Sequence, residues 1–169
     1  KGLLTTTDEN GYYSFGNLYA GSYTVAEQQQ DGWTQTYPEG STHVVGVQSS
    51  TDATVKNFGN FEHGTVTGYK WNDVDGDGQW DEGEPGLSGW TIELRRVTQE
   101  AGDEQPIQTE LVALSLTGES GSFSFNDLGA GHYRLYEQQQ GSWQQTSPAG
   151  SFFEVLVHVS GQAVTVHSK

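Results

Sequence analysis

The stretch Asp73-Val74-Asp75-Gly76-Asp77-Gly78-Gln79-Trp80-Asp81-Glu82-Gly83-Glu84 constrains the fold of this chain more than any other. Acidic side chains at alternate positions, a glycine at the sixth and a glutamate at the twelfth fit the pattern D-x-[DN]-x-[DN]-G-x5-E at every specified position. Calcium takes six to eight oxygen ligands, and a loop of this kind curls its alternate carboxylates onto one point to supply them. Asp73, Asp75 and Asp77 take loop positions 1, 3 and 5. Gly78 makes the sharp turn, Gln79 offers its backbone carbonyl, Asp81 ligates directly or through water, and Glu84 closes the ring with two oxygens. An acidic, solvated turn is the plainer alternative, because Asp and Gly are ordinary loop residues. Without a cation, however, so many carboxylates on one short loop repel each other, and Ca2+ is the expected ligand.

The flanks decide what kind of protein carries the loop. An EF-hand would place a helix on each side. Here Gly64-Thr65-Val66-Thr67-Gly68-Tyr69-Lys70-Trp71 enters the loop with period-2 alternation and β-branched residues, the mark of a strand. Glu84-Pro85-Gly86-Leu87-Ser88-Gly89 leaves it, and its proline and glycines refuse a helix. Trp90-Thr91-Ile92-Glu93-Leu94-Arg95 then alternates again. A loop held between two strands staples a β-domain. It does not sense a calcium signal, which requires a movable helix pair.

Composition narrows the class further. No window carries a helical apolar stripe, and the 23 glycines suit a chain of short strands and tight turns. With no cysteine there is neither a disulfide framework nor thiol chemistry, so a secreted protein of this kind needs another staple. The net charge of −15 argues against nucleic acid or an anionic membrane as partner. No apolar run reaches the length of a membrane span.

The chain also repeats itself without gaps at an offset of about 110 residues. Thr7-Asp8-Glu9-Asn10-Gly11-Tyr12-Tyr13-Ser14-Phe15 aligns with Thr117-Gly118-Glu119-Ser120-Gly121-Ser122-Phe123-Ser124-Phe125. Leu18-Tyr19-Ala20-Gly21-Ser22-Tyr23 aligns with Leu128-Gly129-Ala130-Gly131-His132-Tyr133, and Glu27-Gln28-Gln29-Gln30 with Glu137-Gln138-Gln139-Gln140. Trp33, Thr36, Pro38 and Gly40 match Trp143, Thr146, Pro148 and Gly150. The second copy carries the acidic loop and two strands ahead of the matched block, whereas the first starts inside that block. The expected organisation is therefore a partial β-sandwich repeat over 1–61, lacking its first strands and its calcium loop, and a repeat with the loop over 62–169. Such a register implies a chain cut from a longer array. Strands are expected over 2–7, 11–15, 21–28, 42–48 and 53–59 in the first copy. In the second they are expected over 64–71, 90–97, 107–116, 121–126, 131–138, 152–159 and 162–168, with 58–63 as the linker. Seven short strands between Gly- and Pro-rich turns indicate a β-sandwich.

Gly68-Tyr69-Lys70-Trp71-Asn72-Asp73, the acidic loop, Gly83-Glu84-Pro85-Gly86-Leu87-Ser88-Gly89-Trp90-Thr91-Ile92, the Gly-x-Tyr-x-x-x-Glu strands and the closing Asn57-Phe58-Gly59-Asn60-Phe61 together resemble the Sdr-type B-repeat domains. These are calcium-binding relatives of the collagen-adhesin B-type (Cna-B) domains of bacterial surface proteins. The resemblance covers nearly the whole chain. It implies an all-β fold of tandem prealbumin-like, inverse-immunoglobulin sandwiches, the first one incomplete. It implies an extracellular location, on the cell surface or secreted, and a non-catalytic role as a calcium-rigidified stalk or spacer. The C-terminus departs from the pattern, since Val164-Thr165-Val166-His167-Ser168-Lys169 replaces the Asn-Phe-Gly-Asn-Phe ending.

The wider family includes domains in which a lysine attacks an asparagine beside a buried acid to form an isopeptide crosslink. Glu27 and Glu137 stand where the resemblance places that acid. The second copy has no asparagine on its last strand, and the first lacks the strand that would bring the lysine. Lys70 falls nearer the acidic loop than a crosslinking lysine does. A glutamate hydrogen-bonded to backbone at a strand end is thus the expectation for both positions. The five histidines are scattered, and no serine sits in a nucleophile elbow. Trp33 and Trp143 follow the Gln runs, where they could stack on sugar rings or cap the sandwich ends. Two function classes result: a structural spacer, and an adhesin module with a carbohydrate or host-protein ligand. The expected partners of the incomplete first copy are neighbouring repeats of the same protein, or another copy, by strand complementation, because open sheet edges pair with whatever strand is available.

Overall fold

The computed structural model describes residues 2–48, 55–100 and 106–166, which hold eleven strands and no helix. The chain divides into two compact units, Lys1–Gln29 with Gln35–Asn60, and Gln30–Thr34 with Phe61–Lys169. Among the described residues no helix is long and apolar enough to cross a membrane.

The first unit contains β1 (Gly21–Ala26) and β3 (Thr42–Val47), paired antiparallel with Tyr23 opposite Val45 and Val25 opposite His43. A second two-stranded sheet joins β2 (Trp33–Tyr37) to β4 (Gly59–Glu62), and both of these strands run across the division between the units.

The second unit is a two-layer sandwich of seven strands: β5 (Gly64–Tyr69), β6 (Thr91–Gln99), β7 (Gln108–Leu116), β8 (Ser122–Leu128), β9 (Gly131–Glu137), β10 (Phe153–Val157) and β11 (Ala163–Val166). One sheet has the order β10-β9-β6-β7 and the other β11-β5-β8, with β11 running parallel to β5. Alternation along each strand sends one face inward. Val66 of β5, Ile92 and Leu94 of β6, Phe123, Phe125 and Leu128 of β8, Tyr133 and Leu135 of β9, and Val155 and Val157 of β10 form a single buried cluster between the layers. β5 and β6 are interior strands of the two sheets, so the acidic loop that joins them crosses from one layer to the other.

Three expected strands of the first unit do not form. Residues 2–7, 11–15 and 55–58 have no strand pairing, and residues 53–54 of the last expectation lie outside the described residues. The reason is visible in the second unit, where the repeat counterparts of these segments (β7, β8 and β11) pair with β6 or β5. Among the described residues, the first unit has no counterpart of either strand. A strand is a paired structure, and period-2 alternation alone does not create one. Strand β1 keeps its partner because its counterpart β9 pairs with the counterpart of β3 as well as with β6. The segment expected as a linker is also different: Gly59–Glu62 is strand β4, paired with β2, and β2 itself was not anticipated from the sequence.

Candidate metal centre

The loop is closed at its neck by backbone. Trp71 and Gly86 form an isolated antiparallel bridge, and the Asn72 amide donates to the Pro85 carbonyl at 2.9 Å. The Pro85-Gly86-Leu87 turn therefore completes a short ladder that holds both ends of the acidic segment together. On its other side the Lys70 amide donates to Gly121 and the Leu87 amide to Lys70, both at 2.8 Å. Gly121, at φ +78°, could not carry a Cβ, which would stand 2.0 Å from the Lys70 carbonyl oxygen. Close backbone packing at this point is why a glycine is required there.

Inside the neck the carboxylates organise the loop around themselves. Asp73 Oδ1 accepts from the amides of Gly76 (2.8 Å) and Asp77 (3.2 Å), and its Oδ2 from the Gly78 amide (2.8 Å). Asp75 accepts from the Asp77 amide at 3.2 Å, and Asp77 from the Gln79 amide at 2.7 Å. Glu84 reaches back across the loop, taking the Val74 amide on one oxygen (2.6 Å) and the Asp81 amide on the other (3.1 Å). Gly78 makes the turn at φ +81°, a left-handed conformation that glycine adopts without steric cost.

The acidic side chains converge in two groups that share Asp75: Asp73, Asp75 and Glu84, and Asp75, Asp77 and Asp81. Within each group one oxygen per residue lies within 4.8 Å of the others, a spacing at which the cluster could hold a metal ion. The donor set is all oxygen, which suits a hard cation. Electrostatics agree with the geometry. The Asp81 carboxyl is held above its ordinary range, chiefly by the negative charge of Asp77 and then by desolvation and the other acids of the loop. Asp73 is held below its range, first by a hydrogen bond from the Thr146 side chain and then by the backbone amides it accepts. The Gln79 carbonyl already accepts from Trp71 Nε1 at 3.2 Å, and an sp² oxygen has a second lone pair for a ligand.

Thr146 was not anticipated as part of this site. It lies far beyond the loop in the chain, so the sequence carries no signal that this threonine serves it. Trp71 and Trp80 also belong to the loop: their rings stack at 5.9 Å, and Trp80 Nε1 donates to the Glu84 carbonyl at 3.1 Å.

The expectation for the two glutamates is overturned. Glu137 does not bond to backbone at a strand end. Its Oε2 pairs with Lys70 Nζ at 3.1 Å, with the lysine side chain 15% and the glutamate side chain 7% exposed. The lysine Nζ also lies 4.7 Å from the centre of the Trp90 ring. The pair lines a small cavity of about 40 Å³ with Gln145, Thr146 and Pro148, and Glu137 Oε1 is buried without a hydrogen-bond partner. In the first unit Glu27 accepts from Asn60 Nδ2 at 3.0 Å. Lys70 sits on the acid because β5 ends directly across the core from the end of β9, which linear spacing does not reveal. Trp143 stands edge-on to Trp90 at 5.6 Å and is 44% exposed.

Fold and site together define an all-β sandwich module that carries an oxygen-donor loop between the inner strands of its two sheets. The chain belongs to the SdrD B-like domain family, whose family model matches residues 64–152, more than half of its length. This places it among the extracellular, cell-surface structural modules that the sequence resemblance implied. It is 29% identical over 168 residues to serine-aspartate repeat-containing protein F of Staphylococcus epidermidis, covering 87% of this chain and 9% of that protein. To serine-aspartate repeat-containing protein C of Staphylococcus aureus it is 28% identical over 153 residues, covering 84% of this chain and 15% of the relative. The chain thus spans only a small part of the curated relatives it matches. Among solved structures it is similar to the TIE protein of Bacillus anthracis (TM-score 0.46, 20% identity, 96% of this chain and 27% of that one). It is also similar to a minor pilin of Streptococcus agalactiae (TM-score 0.38, 20% identity, 96% of this chain and 64% of that one).

Proposed function

We propose that this chain is a calcium-rigidified spacer repeat of a larger cell-surface or fibrous protein, a non-catalytic module whose second unit is stiffened by one calcium ion. Asp73, Asp75, Asp77, the Gln79 carbonyl, Asp81 and Glu84 supply its oxygens. The observation that carries the reading is the gathering of the loop carboxylates in two groups that share Asp75, on a loop whose neck is already closed by Trp71–Gly86 and Asn72–Pro85. Calcium in this position replaces repulsion between the acids with attraction to one shared charge. Because the loop joins an interior strand of each sheet, the ion holds the two layers in register at that end of the sandwich. Such a module transmits force and sets distance, and it needs no reactive group.

Terbium in place of calcium tests the site, since Trp80 lies within the loop and sensitises bound terbium. The expected result is emission that calcium displaces and that Asp75→Ala abolishes, because Asp75 belongs to both carboxylate groups. Saturation at about 100 times the dissociation constant raises the stability of the second unit by roughly 2.7 kcal/mol. A melting curve that ignores calcium and chelator refutes the reading.

A ligand-binding adhesin is the second reading, and one observation favours it. Tyr69 (43% exposed) and Trp80 (41% exposed) lie 5.1 Å apart beside the loop and present aromatic faces to solvent. Glycan-array binding that Trp80→Ala removes, with calcium affinity intact, supports this alternative.

A further inference from the structure

The seven-stranded sandwich of the second unit has four edge strands, β7 and β10 in one sheet and β8 and β11 in the other. Three of them show water a polar or mixed face: Ser122, Ser124 and Asn126 on β8, Glu154 and Leu156 on β10, and Thr165 on β11. Strand β7 does not. Its Leu111, Leu114 and Leu116 are 47%, 55% and 67% exposed. They stand opposite Arg95, Glu93 and Thr91 of β6, which alternate with the buried Ile92 and Leu94, so the three leucines form a row on the outer face of the sheet.

The backbone of this edge is open as well. The Gln138 amide donates to the Thr91 carbonyl at 2.9 Å, so Thr91 turns its backbone groups toward the β9 side and Ile92 turns its own toward β7. Ile92 pairs with Ser115, and the amides and carbonyls of Leu114 and Leu116 therefore point to the free side. The Thr117 amide, which donates to Trp90 at 2.9 Å, keeps the same alternation. Among the described residues no strand pairs with β7 on that side. An open groove of about 480 Å³, lined by Ser115 and Leu116 of β7 and by Ser122, Phe123 and Ser124 of β8, leaves this end of the strand uncovered. Folded proteins guard such edges with charge, proline or short length. Residues 111–116, Leu-Val-Ala-Leu-Ser-Leu, carry no charge and no proline, and Glu110 is the one charged residue of the nine in β7.

We propose that β7 is a docking edge for a second copy of this chain, the two β7 strands pairing antiparallel about a two-fold axis at Leu114. The two Leu114 residues then exchange both of their free backbone hydrogen bonds, Ser115 of each copy lies opposite Ala113 of the other, and Leu116 lies opposite Val112. Leucines of both copies make one apolar stripe across the joint. Charge selects this register. Glu110 of each copy falls outside the paired residues, whereas an axis at Val112 would set Glu110 against Leu114 and Gln108 against Leu116. Charge also selects the occupant, because a neutral six-residue edge is matched by a strand as free of charge as itself, and the same segment of another copy is one. The contact is isologous, each copy offering the same patch, and it fuses two four-stranded sheets into one of eight strands. A single strand pair covers less than the roughly 800 Å² per partner of a standard interface. The dimer is therefore weak in dilute solution and fills where chains are held side by side at high effective concentration, as on a shared surface.

Sedimentation of the whole chain at up to about 1 mM, the range of weak association, tests the pairing. The dimer is expected to grow with concentration and with added salt, because two chains of net charge −15 repel and salt screens them. Leu114→Lys sets two ammonium groups face to face across the axis and is expected to leave a monomer. Leu114 is exposed, so the tryptophan fluorescence of this variant is expected to match that of the parent. The chain has no cysteine, which lets single cysteines read the register. Leu114→Cys is expected to crosslink to itself on mild oxidation, since opposed residues of a hydrogen-bonded pair stand about 5.5 Å apart at Cα, within disulfide reach. Leu116→Cys is expected not to, its two copies being displaced along the strands by about 13 Å. A chain that stays monomeric to about 1 mM overturns the proposal and leaves the edge to a different strand. A dimer that survives Leu114→Lys belongs to another surface and overturns it too, as does a Leu116→Cys chain that crosslinks as fast as Leu114→Cys.

Discussion

Replacing Lys70 with methionine keeps the length of the side chain, removes its charge, and leaves Glu137 buried with no cation. One oxygen of that carboxylate lacks a partner to begin with, and the other loses the ammonium at 3.1 Å. Orphaning one member of a buried pair costs about 3–5 kcal/mol, because the charge remains desolvated without its compensation. Glu137→Gln is expected to cost less, about 1–3 kcal/mol. The lysine it strands is more exposed, keeps the face of Trp90 beneath it, and can turn its flexible stem toward water. The double replacement Lys70→Met/Glu137→Gln leaves two neutral, similar-sized side chains, and its loss is expected to fall below that of Lys70→Met alone. All five tryptophans lie in the second unit, so tryptophan fluorescence during urea unfolding reports that unit. With a urea dependence of about 1–3 kcal/mol per molar, a loss of about 3 kcal/mol moves the midpoint by about 1–3 M. A Lys70→Met chain within about 1 kcal/mol of the parent, or a double variant that loses the sum of the two singles, refutes the account of a coupled buried pair.

Gly121→Ala is expected to destabilise the second unit by more than about 2 kcal/mol, combining left-handed strain with a collision against the Lys70 carbonyl, and to weaken terbium binding by opening the neck; urea unfolding and terbium titration check both. Calcium affinity is expected to fall on acidification from about pH 7 to about pH 4, with Asp81 taking a proton before Asp73, as terbium emission against pH would record. In the metal-free chain the raised Asp81 pKa means that its repulsion destabilises the fold above that pKa and disappears below the unfolded value. Metal-free Asp81→Asn is therefore expected to melt above the metal-free parent at neutral pH, the difference vanishing in acid.

Much of the second unit was legible in the sequence because its signals are local. Alternation in Gly64–Tyr69 and Trp90–Arg95, glycine and proline at the reversals, and a full set of loop acids each act over a few residues. What escaped depends on neighbours distant in the chain. Residues 11–15 read as a strand as clearly as 121–126 do, and only the latter become one, because Phe123 and Phe125 have β5 beside them and Tyr13 and Phe15 do not. Thr146 reaches Asp73 from beyond the end of β9, and Lys70 reaches Glu137 across the core. Neither pairing leaves a mark at the sequence distance involved. Glu27 shares the parity of Tyr23 and Val25, and Glu137 that of Tyr133 and Leu135, but parity does not say what waits on the other side.

The comparison between units also shows where the cooperativity of the repeat resides. In the second unit β8 and β11 pair with β5, while β7 and β9 pair with β6; β10 alone pairs with neither. Without these two strands the first unit retains β1 and β3, the counterparts of β9 and β10, and the remaining counterparts among the described residues stay unpaired. The acidic loop lies between the two strands on which the others depend. A cation held there acts on both sheets at once, since separating β5 from β6 removes the partners of four further strands. On the proposed reading, calcium need not touch most of the sandwich to stiffen it. Fixing the single crossover between the interior strands is sufficient, and the free energy of binding at twelve surface residues is then shared by the whole unit.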